Sequence, residues 1–202
     1  MTLEQILTEI RSYVGVLELA PQSGSEHPEI SWGDFFFYYA PDGEVPRNRQ
    51  PYATIVTKDY PDDVESRLDA PDRWRLNIHV GSQLFTDLLG YPPESIEEST
   101  VDFSETDTFL PHPLYGAYGW VAVVNPGSRT TTRALAALHE AHLADQRRVE
   151  RRQARGGAGP RPRLMSPGDH AARAVAANTA QRDENHNDHC REPGHARVRE
   201  FS

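Results

Sequence analysis

A chain of 202 residues with a formal net charge of −9 and one cysteine, Cys190, has the length of one ordinary domain and excludes an intramolecular disulfide framework. The charge is uneven: residues 1–150 carry 24 acidic against 11 basic side chains, a balance of −13, and residues 151–202 carry six against ten, a balance of +4. An N-terminal part this acidic repels phosphate backbones and disfavours nucleic acid as a partner; no apolar run could span a bilayer and no apolar leader opens the chain, so a cytoplasmic protein with no membrane partner is expected.

Thr2 and Gln5 have capping-box spacing, and Leu3, Ile6, Leu7 and Ile10 recur at helical period, which predicts a first helix stopped by Gly15. Val16 to Ala20 reads as a short strand and residues 21–28 as a loop. The aromatic run Phe35-Phe36-Phe37-Tyr38-Tyr39 predicts a strand that is central or covered by a helix on one side. Pro41-Asp42-Gly43 is turn chemistry, and a further strand is expected over about 52–58, ending at Lys58.

Asp59 and Pro61, with Asp62 and Asp63 in a first turn and Val64 and Leu68 on one face, predict a short helix. Period-two alternation follows. Trp74, Leu76, Ile78 and Val80 point one way, and Arg73, Arg75, Asn77 and His79 the other, giving a strand with one core face and one polar row. Ser82 is the expected N-cap of a helix ending at Gly90, with Leu84, Phe85, Leu88 and Leu89 as its buried stripe. Residues 91–118 read as mostly loop, Trp120 to Val124 as the last strand, and a final helix is expected from about Arg129 past Ala144, with a charged, solvated extension. From Gly156 onward no period survives and aromatic residues vanish until Phe201. Together these predict an α+β fold: a mixed or mainly antiparallel sheet of about five strands with helices packed on one face. Residues 1–150 form the compact domain, and 151–202 a disordered tail rich in arginine, glycine and proline.

Twenty arginines stand against a single lysine, Lys58. Arginine-rich coding explains the bias, but a compact ammonium can serve where a planar guanidinium does not. At a strand-to-helix junction Lys58 is a candidate anion holder, against the plainer reading of a surface lysine paired with Asp59 or Asp62. His112, with Tyr115 and Trp120 close behind, is the densest cluster of reactive side chains; histidine titrates near neutrality, and Glu105 and Asp107 stand nearby in sequence as orienting carboxylates. The spacing fits no hydrolase triad, and a loop histidine bonded to backbone is the ordinary alternative. Arg75 and His79 are binding candidates on the polar strand face, although one wet face of an antiparallel sheet needs no ligand. His139 and His142 lie at i, i+3, one residue short of the zinc-protease spacing, and His186, His189, Cys190 and His195 lie in the tail, so no metal site and no cofactor are expected.

The segments PEISWGDFFFYYAPDG, PYATIVTKDYPDD, WRLNIHVGSQLF and HPLYGAYGWVAVVNPG resemble a small actinobacterial family of uncharacterised proteins, domain of unknown function 6194, over about residues 1–150. More distantly, the opening helix ending in Gly15-Val16, the strand ending in Lys58, and Tyr115 to Trp120 leading into the last helix resemble MmcQ/YjbR-like proteins. That likeness implies a CyaY-like α/β sandwich and carries a DNA-binding label at odds with the −13 balance. Three functions follow as expectations. The first is a non-catalytic accessory domain binding a small ligand or a protein through the sheet face and the loop 107–118. The second is a small enzyme using His112 with Lys58 as anion holder, and the third is weak DNA binding.

Overall fold

The computed structural model describes residues 2–156. Helix α1 (Leu3–Arg11) opens with both hydrogen bonds of the capping box, Thr2 receiving the Gln5 amide and the Gln5 side chain receiving the Thr2 amide. Strands β1 (Val16–Leu19), β2 (Phe35–Tyr39), β3 (Ala53–Val56), β4 (Arg75–His79), β5 (Leu110–Pro111) and β6 (Trp120–Val124) form one sheet in the order β1-β2-β3-β4-β6-β5, each neighbouring pair antiparallel. Helices α2 (Gly81–Leu89) and α3 (Thr131–Gly156) complete the α+β architecture.

Alternation divides the sheet into two unlike faces. Phe37, Ala53, Ile55, Leu76, Ile78 and Val121 point toward Ile6, Leu7 and Ile10 of α1, Phe85 of α2, and Ala134, Ala137, Leu138 and Ala141 of α3, forming the main core. The opposite face carries a row in strict register, Leu19, Phe36, Thr54, Asn77, Ala122 and Leu110, running from one sheet edge to the other.

The expected α+β sheet is present with six strands, one of which, Leu110–Pro111, lies inside the segment read as mostly loop and pairs with Ala122 and Val121. Three expectations need correction. No helix forms over 61–68; the chain turns there instead, with Arg67 at φ 51°. Aspartate side chains compete with helix formation by capturing backbone amides: Asp59 accepts from the Leu68 amide at 2.7 Å, and Asp69 accepts from the Asp59 amide at 3.0 Å. Helix α2 starts at Gly81, one residue before Ser82, and no side chain caps it. The polar row on β4 is not wet, since Arg75 and Asn77 are only 2% and 1% exposed. The final helix extends to Gly156, and the tail expected beyond it, with its histidines and Cys190, lies outside the described residues. No described helix is long and apolar enough to cross a membrane.

Candidate functional site

Loops cover the sheet face that the helices leave bare, and between sheet and loops lies a cavity of about 330 Å³. Phe36 and Tyr38 of β2, Thr54 and Val56 of β3, Arg75 and Asn77 of β4, and Trp120 of β6 form its floor. Its walls come from residues 21–31, 49–51, 60–63 and 112–115. The volume falls in the lower part of the range of small-molecule sites, roughly 300–1,000 Å³, and a mainly apolar surface with placed polar groups is their usual composition.

Arg75 organises the buried end. Its Nη1 and Nη2 donate to the two oxygens of Asp63, Nη1 also donates to Ser66 Oγ at 2.7 Å, and Nε donates to Asn77 Oδ1 at 2.8 Å. Asn77 passes the chain on, donating from Nδ2 to Thr54 Oγ1 at 2.9 Å. A guanidinium this deep persists because a bidentate carboxylate compensates its charge. The same ion pair pulls residues 60–66 down over the sheet, which is why Asp63 is not in a helix.

His112 follows β5 and is 6% exposed. The backbone amides of Leu114 and Tyr115 donate to its Nδ1 at 3.1 and 3.3 Å, and its Nε2 lies 3.4 Å from Arg75 Nη2. Burial first, and then the charge of Arg75, hold its pKa well below the ordinary histidine value, so the ring is neutral. Its ring packs 4.9 Å from that of Tyr115 and 6.3 Å from that of Trp120. The carboxylates near it in sequence are turned elsewhere. Asp107 receives the amides of Gly127, Arg129 and Thr130 and the Thr130 hydroxyl at the start of α3, and Glu105 receives the Thr108 hydroxyl.

The structure thus brings Arg75, His112, Tyr115 and Trp120 to one cavity and leaves two other candidates outside it. Lys58 donates to the Trp32 carbonyl and sits 3.4 Å from Asp34 Oδ1, with neither Asp59 nor Asp62 as partner. Asp34 is fully buried and also accepts from the Thr57 amide, the Thr57 hydroxyl and the Tyr60 hydroxyl. Burial pushes the Asp34 carboxyl up, against the opposing pull of Tyr60, Lys58 and Thr57. Since Tyr60 lines the cavity, Lys58 acts on the wall from behind through Asp34. His79 stacks beside Trp120 at 5.4 Å but does not line the cavity.

Reasoning from sequence missed Asp63, Thr54, Phe36, Tyr38, Tyr60 and Arg49. The signal for the floor was present: a polar row on β4 beside an aromatic strand whose alternate residues share its face. Arg49 was not foreseeable; its Nη2 donates to the Tyr39 carbonyl, and its Nη1 lies 3.2 Å from buried Asp145 of α3. On the helix side, His142 is buried among Tyr13, Tyr39 and Tyr52 and bonds the Val14 carbonyl at 3.1 Å through Nε2. Among the described residues no three His, Cys, Asp or Glu side chains are placed to hold a metal ion.

Fold and site together define a single-sheet α+β domain with helices on one face and a loop-covered cavity on the other. The chain belongs to a family of unknown function (DUF6194), whose profile matches residues 1–154. Comparison with curated proteins and with solved structures finds no match.

Proposed function

We propose that this chain is a non-catalytic binding domain that holds a small molecule in the cavity over the open sheet face. The observation that carries this reading is the cavity itself, with strand side chains as floor and four separate loops as walls. An antiparallel sheet can leave one face to solvent at no cost; here the face is roofed, and its polar groups point inward. Binding is favoured over catalysis by the state of the reactive groups. The Nδ1 of His112 is occupied by two amides, and Asp63 is committed to Arg75, so neither is poised to take a proton from a bound molecule. Lys58, the anion holder of the enzymatic reading, does not reach the cavity. The acidic balance of residues 1–150 weighs against the DNA-binding label of MmcQ/YjbR-like proteins. A cytoplasmic location and an actinobacterial origin belong to the same reading.

The test is a thermal-shift screen of the full chain against small molecules, repeated on Thr54→Phe, whose ring would occupy the centre of the floor. A ligand that binds only the native state raises the melting temperature by mass action, about 2.7 kcal/mol at a hundredfold excess over Kd. Hits that vanish in Thr54→Phe support the reading. Hits that persist unchanged in that variant refute it.

A further inference from the structure

The buried corner formed by Arg75 and His112 has more donors than acceptors. Nδ1 of His112 receives two amide hydrogens, so it is the bare nitrogen and the proton of the neutral ring resides on Nε2. That Nε2–H faces Nη2 of Arg75 at 3.4 Å, and Nη2 is also a donor. The remaining guanidinium hydrogens are used: Nε on Asn77, both of Nη1 on Asp63 and Ser66, and one of Nη2 on Asp63. Two N–H groups therefore converge at the cavity end, and among the described residues no acceptor stands between them. Buried donors without an acceptor are costly, on the order of 1–3 kcal/mol each. A single oxygen seated between the two nitrogens would satisfy both.

The charge balance says what kind of oxygen. Arg75, the cation of this corner, is compensated by Asp63, while Arg49 on another wall shares the carboxylate of Asp145 with Arg148 and does not reach the two nitrogens. Asp62 lines the exposed rim and adds a negative charge at the entrance. A carboxylate or phosphate entering here would be desolvated without a countercharge, and an ammonium would meet N–H donors. Aromatic rings from Phe36, Tyr60, Tyr115 and Trp120 flank the space, and such surfaces favour flat partners. Resting on the binding reading above, we infer that the cavity takes an uncharged, flat molecule that presents one amide- or ketone-type oxygen to Arg75 Nη2 and His112 Nε2.

The experiment uses the 15N-labelled full chain and two probes of equal shape, benzamide and benzoate. A long-range proton–nitrogen correlation at pH 7 reads the tautomer of His112, assigned by the loss of its signals in His112→Gln. The same sample, titrated with each probe, reports binding through the His112 ring and the Trp120 indole. Expected are the Nε2–H tautomer and benzamide binding at least about tenfold tighter than benzoate, the penalty of burying an uncompensated carboxylate. A proton on Nδ1, or benzoate binding as tightly as benzamide, overturns the inference. If the cavity signals still move, the binding reading stands without it. If neither probe moves any cavity signal at millimolar concentration, both fall.

Discussion

Removing Asp63 tests whether the Arg75 pair holds the loops over the sheet. In Asp63→Ala the guanidinium keeps Asn77 and Ser66 as acceptors but loses both carboxylate bonds and its compensating charge. Each charge-assisted bond contributes about 1.5–3 kcal/mol, and breaking a buried pair from one side costs about 3–5 kcal/mol in comparable sites. Arg75 is 2% exposed, so the expected loss lies in that interval. This is a large fraction of the roughly 5–15 kcal/mol that a domain has in total. Urea unfolding followed by tryptophan fluorescence reads the loss, with Trp120 reporting from the cavity floor. The double variant Asp63→Leu/Arg75→Met should cost clearly less than Asp63→Ala, because it removes the orphaned charge together with its partner. A loss below about 1 kcal/mol in Asp63→Ala would refute the reasoning, since a guanidinium in contact with water needs no buried carboxylate.

The pH dependence follows from three histidines, His112 and His142 buried and His79 half-buried. Burial, the leading cause for each, lowers the pKa of His79, His112 and His142 in the folded chain. The unfolded chain therefore binds more protons below about pH 6.5, and stability falls as pH drops from there toward the folded values, by up to about 1.4 kcal/mol per pH unit for each group. Urea midpoints at pH 7, 6 and 5 should show this decline, and His112→Gln should flatten it by one group's share; an unchanged slope would contradict a neutral, buried His112. Asp107→Ala should cost about 1–2 kcal/mol, the usual value of an N-cap, with loss of helical circular dichroism on heating as the check. Burial opposes ionisation of Asp107, but the bonds from Thr130, Arg129 and Gly127 prevail and hold its pKa well below the ordinary range. Its stabilisation is therefore present above about pH 3.9 and disappears as pH falls through the lower folded value. Gly119→Ala should destabilise more than Gly90→Ala. Both positions have positive φ and share a left-handed penalty of roughly 1–2 kcal/mol, but only at Gly119 would a Cβ meet backbone, 2.9 Å from Gly81 Cα; equal melting temperatures would count against the close crossing.

Local chemistry made most of the fold legible. The capping box at Thr2, the aromatic strand, the alternation from Trp74 to Val80 and the glycine stop at Gly90 each depend on neighbours within a few residues, and each formed as read. Residues 61–68 misled because the acids suited to a first helical turn bind elsewhere: Asp63 reaches Arg75, twelve residues on, and Asp59 captures Leu68. β5 escaped notice because two residues carry no periodicity and Pro111 argues against a strand; it is tolerated on a sheet edge. The candidate site was half legible for the same reason. His112, Tyr115 and Trp120 stand together in sequence, whereas the convergence of Arg75, His112 and Asp63 exists only after three separate chain segments meet. Lys58 drew attention by its rarity, but rarity says nothing about direction, and its partner Asp34 is 24 positions away in the chain.

The turn that leads into α3 is held from outside it, because the amides of Gly127, Arg129 and Thr130 donate to Asp107. Thr130, in the natural capping place, gives its own hydroxyl to Asp107, which lies 23 positions upstream. The starting point of the longest helix is therefore written in a loop. A fragment cut after residue 107 would keep every residue of α3 and lose the signal that says where to begin, so its first turn would fray. During synthesis the order is favourable, because Asp107 leaves the ribosome first and waits for the amides it will hold. The meeting of loop and helix is non-local, and β6 lies beside the loop as well as leading toward the helix: the Asp107 amide donates to the Val124 carbonyl at 2.8 Å.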